Sequence, residues 1–234
     1  MKNRKIWLML VGLFTALTSG FMGTTLTFAE ENEASQTIEQ PSYISDFPNQ
    51  VGNWQDLVGT AEKKNDSAGL WIANTKQGAN LESVSINLDA REQSSGDLEL
   101  TFLYEGQSNF GLVFRGDKQK TSQWQSFAYN RDGRWQLGQP GGKWLTNIPG
   151  PTLLSGQQYK LLVRYDGKKI QTFLNDQLFY ENEEVHYPDG TSINDDWTGA
   201  VGIRLFGNLS KLNIISMKSG SVGSIPVIDS SAEY

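Results

Sequence analysis

From Tyr159 to Tyr180 the sequence YKLLVRYDGKKIQTFLNDQLFY alternates apolar and polar positions on either side of an Asp166-Gly167 pair. An Asp-Gly pair tolerates the positive φ of a type I′ turn, whose twist matches the strands it joins. A turn centred there pairs Val163 with Ile170, Leu161 with Thr172 and Tyr159 with Leu174 on one face. Lys160, Arg164, Lys169 and Gln171 fall on the other. This period of two predicts a hairpin with one buried face, and a second turn follows at Asn175-Asp176.

The same reading extends outward. Trp71 to Ala73 and Ser83 to Leu88 read as strands, the latter with Val84, Ile86 and Leu88 on one face. Asp97 to Glu105 points Leu98, Leu100, Phe102 and Tyr104 inward, and Asp97, Glu99, Thr101 and Leu103 outward. Phe110 to Arg115 places Phe110, Leu112 and Phe114 inward and Arg115 outward. Gln123 to Gly138 reads as a hairpin turning at Asp132-Gly133. With an even-numbered loop, Trp124, Ser126, Ala128, Trp135 and Leu137 share one face, and Gln125, Phe127, Tyr129, Arg134 and Gln136 the other. Gly199 to Phe206 and Lys211 to Met217 form the last pair. About ten to twelve short strands separated by turn residues predict an all-β sandwich of two antiparallel sheets. Strands apolar on one face exclude a parallel βαβ sheet.

The N-terminal segment breaks this pattern. Lys2, Arg4 and Lys5 precede an apolar run from Ile6 to Met22, and Thr27-Phe28-Ala29 supplies small residues before a cut after Ala29. This is the form of a secretory signal peptide, of Gram-positive style, and predicts an extracellular protein with no stable membrane insertion once the signal is removed. Residues 30–45 read as a disordered leader, 46–218 as the β-sandwich and 219–234 as a flexible tail.

Composition narrows the function. The chain has 234 residues, 38% hydrophobic and 11% aromatic, which suits one domain of fair size. It contains no cysteine, so disulfides, thiol chemistry and a lipidated N-terminus are excluded. A net charge of −6 argues against nucleic acid or an anionic membrane as partner. The chain is expected to act as a monomer.

The order GDLELTFLY, FGLVFR, QSFAYNRDGRWQL, YKLLVRYDGKKIQTFLNDQLFY and GAVGIRLFGNLSKLNIISM resembles a concanavalin A-like jelly roll of the laminin-G and glucanase type. Within that fold it is most similar to the domain of 3-keto-disaccharide hydrolase-like proteins and of fructan-binding modules attached to secreted levanases. The resemblance covers about Phe47 to Met217. It implies extracellular carbohydrate recognition, usually without catalysis, in a shallow pocket of acidic, Arg and aromatic groups. Carried over, the Arg ending the LVFR strand is Arg115, the acid on the preceding strand is Glu99, and the polar and aromatic pair of the penultimate strand is Arg204 and Phe206. Gly207-Asn208 stands where those relatives have an Asp, which leaves a fructose specificity open.

Sugars are held by stacking on aromatic rings and by planar hydrogen-bonding groups. Glu99, Arg115, Phe127, Tyr129, Arg134, Gln136, Trp144 and Arg204 are therefore the expected ligand-binding residues. Trp54, Trp71, Trp124 and Trp135 are expected in the core. The two-carboxylate arrangement of glucanases, E-x-D-x-E, does not occur, and Glu181 to Glu184 reads as a solvated turn. No catalytic residues are expected. The single histidine, His186, sits in a turn sequence. No cofactor is expected, beyond a structural Ca²⁺ that Asn194, Asp195 and Asp196 could help hold. The alternatives to a binding module are a glycoside hydrolase, of the 3-keto-glycoside or fructan-active kind, and a cell-surface adhesion domain.

Overall fold

The computed structural model describes residues 43–45, 53–66, 69–74 and 81–228. The segment read as a signal peptide lies outside them. The strands are β1 (Tyr43–Ser45), β2 (Trp54–Val58), β3 (Ala61–Asp66), β4 (Gly69–Asn74) and β5 (Glu82–Asn87). They continue with β6 (Gly96–Tyr104), β7 (Asn109–Gly116), β8 (Gln125–Tyr129), β9 (Trp135–Gln139) and β10 (Lys143–Ile148). The last five are β11 (Gln157–Asp166), β12 (Lys169–Leu174), β13 (Gln177–Asn182), β14 (Ala200–Phe206) and β15 (Lys211–Gly220). Among the described residues there is no α-helix.

Two antiparallel sheets result. One runs β13-β12-β11-β6-β15-β4-β3, with β1 pairing along the end of β15; the other runs β10-β9-β8-β7-β14-β5-β2. This is the expected concanavalin A-like jelly-roll sandwich. Strands adjacent in a sheet are far apart in sequence, β6 beside β15 and β7 beside β14, as a jelly roll requires.

The inward faces meet through aromatic rings. Phe102 of β6 lies edge-on to Phe110 of β7 with centroids 4.8 Å apart. Phe114 stacks on Tyr165 at 4.7 Å, and Tyr104 sits edge-on to Tyr129 at 5.6 Å. Edge-to-face and offset contacts of this kind add about 0.5–1.5 kcal/mol each beyond the area they bury. Burial also pushes the Tyr104 hydroxyl up to about 12, and raises Tyr165, Tyr187, Tyr129 and Tyr180 in the same direction. In the fold these phenols keep their protons where the unfolded chain is already losing them. Stability is therefore expected to hold up to the ordinary tyrosine value of 10.0 and to fall as pH climbs through about 12. Denaturant midpoints measured along an alkaline series, alongside tyrosinate absorbance, check this; an unchanged midpoint above that range is the contrary result.

Three local expectations are corrected. The first is register. The β11–β12 turn is centred one position later, so that Asp166 pairs with Lys169, Val163 with Thr172 and Leu161 with Leu174. Gly167 takes the positive φ, 55°. Each partner shifts by two, an even number, so the faces are as expected.

The second correction inverts a face. Asn130 N donates to Arg134 O at 2.8 Å and Gly133 N to Asn130 O at 2.9 Å, closing a three-residue loop, Arg131-Asp132-Gly133, with Gly133 at φ 88°. An odd loop puts Trp135 across from Tyr129 and Leu137 across from Phe127. Phe127, Tyr129, Trp135 and Leu137 thus share the buried face, and Ser126, Ala128 and Gln136 turn outward.

The third concerns both ends of the domain. β1 already belongs to a sheet, so residues 43–45 are not a disordered leader. Ser219 and Gly220 complete β15, and the chain beyond lies against the outer face of the first sheet. There Ile225 packs with Leu162 and Phe173, and its N–H donates to Asp97 Oδ2 at 3.1 Å. Fully buried Asp97 also accepts two bonds from Arg164, at 2.8 and 2.9 Å. Ile225 and Val227 are packed there, where the sequence predicts a flexible tail.

Candidate functional site

On the outer face of the second sheet the strands carry small residues where large ones would be expected. One cross-strand row reads Arg204, Gly111, Ala128, Gln136, and the next reads Gly202, Val113, Ser126, Gly138, Trp144. Glycine within a strand commonly marks a close approach of another group. That is the case at Gly138, where a β-carbon would overlap the Trp144 ring. The indole lies flat on the sheet because Gly138 has no side chain.

Arg204 reaches along this carpet to meet the ring. Its guanidinium carbon is 4.2 Å from the Trp144 ring centroid, 4.1 Å from that of Phe206 and 5.6 Å from that of Trp124. Its Nε donates to Glu82 Oε1, and the two form an ion pair. Only 7% of Arg204 is exposed, and burial pulls its guanidinium below the usual value while Glu82 opposes the shift. Cation–π contacts desolvated in this way are worth roughly 2 kcal/mol. Two polar atoms beneath the layer, Arg204 Nη1 and Ser126 Oγ, are buried without a hydrogen-bond partner in the protein. Above it, Trp144, Phe206, Gln136 and Glu82 are half-exposed. The result is an aromatic surface with a cation, a carboxylate and a carboxamide set among the rings.

Of the eight expected ligand-binding residues, the fold gathers Gln136, Trp144 and Arg204 here and sends the others elsewhere. Phe127 and Tyr129 are core residues. Phe127 stacks on Trp135 at 5.7 Å, and Tyr129 accepts a bond from Leu153 N at 3.1 Å. Arg134 is exposed at the hairpin tip, paired with Asp132 and donating to Asn147 Oδ1 at 3.1 Å. Glu99 is 4% exposed on the outer face of the other sheet, with Lys218 Nζ at 3.1 Å.

Arg115 is fully buried at an end of the sandwich. A φ of 55° swings it off the outer face, and its guanidinium donates to Ser94 O, Gln125 Oε1, Asn194 O and Gly167 O. The backbone carbonyl of Asn194, next to Asp195 and Asp196, is thereby engaged. Among the described residues no three acidic or histidine side chains gather in one place. His186 is exposed, with Ser192 Oγ 3.2 Å from its Nδ1.

Sequence reasoning missed Glu82, while Trp124, expected in the core, is indeed buried there. The glycines at 111, 138 and 202 were the available signal, since three strands each spending a position on Gly mark one covered face.

No family model matches the chain. Solved structures are similar to it in fold. A Bacillus subtilis protein of unknown function with a galectin-like fold superposes with a TM-score of 0.58 at 14% identity, over 78% of this chain and 97% of that one. A sialidase superposes at 0.53 with 9% identity, over 78% of this chain and 19% of the sialidase. At these identities the likeness is one of fold. Among curated proteins, the chain is 97% identical over all 234 residues to hyaluronate lyase HylB of Enterococcus faecalis (strain ATCC 700802 / V583), and spans 23% of that protein's length.

Proposed function

We propose that this chain is a non-catalytic carbohydrate-binding domain of an extracellular polysaccharide-degrading protein, and that it holds its ligand on the Trp144–Arg204–Phe206 face. The observation that carries the reading is the buried, half-paired Arg204 held against three aromatic rings beneath half-exposed Trp144 and Phe206. A pyranose offers one face of C–H groups to an indole and a rim of oxygens to a guanidinium and a carboxamide. The galectin-like fold suits the role, as does the near-identity to a segment of a hyaluronate lyase. Hyaluronate is the ligand to try first, because the chain nearly matches a segment of a hyaluronate lyase. Glycoside hydrolysis uses two free carboxylates flanking the bond, and Glu82 is engaged by Arg204. The face therefore reads as one that binds.

Affinity electrophoresis in gels containing hyaluronate, with a glycan array beside it, tests the proposal. The wild type is expected to be retarded, and Trp144→Ala to bind about tenfold or more weakly, the loss of one stacking contact. Equal retardation of both proteins overturns the site. Failure to bind any polysaccharide overturns the function.

A further inference from the structure

The sandwich carries a cleft on its opposite side. In β4 the residues Leu70 and Ile72 point into the core and are buried, so the alternation turns Trp71 and Ala73 outward on the first sheet. Trp71 was expected in the core; it is half-buried, and its neighbours are polar. Lys211 of β15 lies across from Ala73, and its Nζ sits 5.0 Å from the Trp71 ring centroid and pairs with Glu105, at the start of the β6–β7 turn. Together with Gln107 of that turn and Leu209 of the β14–β15 turn they line a cleft of about 510 Å³.

We propose that this cleft is a second carbohydrate site, separate from the Trp144–Arg204 face and selective for a neutral saccharide unit of one or two pyranose rings. The volume falls within the roughly 300–1,000 Å³ usual for small-molecule sites. The wall groups divide by role. Trp71 supplies an apolar plane. Lys211 and Glu105 neutralise each other, yet an ammonium and a carboxylate paired through one contact keep further donors and acceptors for vicinal hydroxyls. Gln107, exposed at the rim, adds a carboxamide, which both donates and accepts. Leu209 is 57% exposed at φ 54°, an apolar side chain held toward solvent at the cleft mouth, where a sugar's C–H groups could cover it. A set with no net charge suits a neutral sugar better than a uronate. Two sites on opposite sheets would let one domain engage two stretches of a polymer, raising avidity without any new contact.

The test uses the chain labelled with fluorotryptophan, its Trp71 and Trp144 fluorine resonances assigned by Trp71→Phe and Trp144→Phe. Cellobiose, lactose, chitobiose and sucrose are titrated in separately, followed by a hyaluronate tetrasaccharide. The Trp71 resonance is expected to move saturably with at least one neutral disaccharide, and Lys211→Met, checked for an unchanged melting temperature, to weaken that binding about tenfold. If no neutral sugar moves the Trp71 resonance saturably, or if Lys211→Met leaves the titration unchanged, the second site is overturned. The Trp144 resonance reports on the first face independently. Movement there with a still Trp71 sinks the cleft alone, and movement at Trp71 with a still Trp144 sinks the face alone.

Discussion

Arg115→Ala is expected to destabilise the domain by about 3–5 kcal/mol, the range for removing one partner from a buried, hydrogen-bonded charge. The guanidinium joins four segments distant in sequence. Its Nε donates to Ser94 O at 2.7 Å; its Nη1 donates to Gln125 Oε1 at 2.8 Å and Asn194 O at 3.2 Å; its Nη2 donates to Gly167 O at 2.7 Å. It also lies 5.4 Å from the Tyr165 ring centroid. Alanine would leave these acceptors facing a cavity, and a buried acceptor without a donor costs more than an average hydrogen bond contributes. Burial pulls the guanidinium below its usual value, with Tyr165 and Asp195 the main opposing influences, so the charge is tolerated because its donors are matched. Lysine cannot present a planar fork in four directions and is expected to recover little. Chemical denaturation should show a lower midpoint with the slope unchanged. For a domain of this size the loss corresponds to about 6–20 °C in melting temperature. A shift of a degree or two would mean that the surrounding loops close without the arginine.

Much of the architecture was legible because strand alternation survives errors of turn placement, provided the error is even. The β11–β12 hairpin shows this: the turn sits one position later than an Asp-Gly reading gives, every pair moves, and no face changes. The β8–β9 hairpin shows the opposite. Asp132-Gly133 is as good a two-residue signal as Asp166-Gly167, yet a left-handed Gly133 ends a three-residue loop, and one residue of difference exchanges core for surface along β8. Phe127 and Tyr129 were lost from the site for that reason alone.

Arg115 escaped for another reason. A left-handed backbone at a non-glycine residue has no sequence signature, and alternation then points the side chain the wrong way. Tail docking was hidden because it depends on two residues, Asp97 and Ile225, far apart in sequence and unremarkable alone. The covered outer face of the second sheet was partly legible. Trp144 and Arg204 were picked for their chemistry, and the glycines that make room for them were visible in the strands.

Gly138→Val tests that last relation between carpet and ring. Gly138 pairs directly with Trp144, and even a β-carbon there would meet both the indole and the Lys143 carbonyl, which is 2.6 Å from its ideal position. Because the Lys143 carbonyl is backbone, the β9–β10 ladder must also give at that point, and the indole must leave. Once it swings away, Arg204 loses its contact at 4.2 Å and Trp124 loses a ring whose centroid lies 6.2 Å off, while Glu82 still holds Nε. Overpacking of this sort costs about 1–3 kcal/mol, which a domain without disulfides can absorb if its core is intact. The larger effect is expected in binding. A face whose platform has been displaced should lose about tenfold to a hundredfold in affinity for its polysaccharide, or 1.4–2.7 kcal/mol, with a matching change in the near-ultraviolet circular dichroism of the Trp124–Trp144 pair. Trp144→Ala removes the ring but leaves the carpet open; Gly138→Val keeps the ring and denies it its seat. If the face is the binding site, both variants bind about tenfold or more weakly while the Trp71 cleft is untouched. If Gly138→Val binds as the wild type does while its dichroism shows the indole displaced, the ligand is held somewhere other than on Trp144.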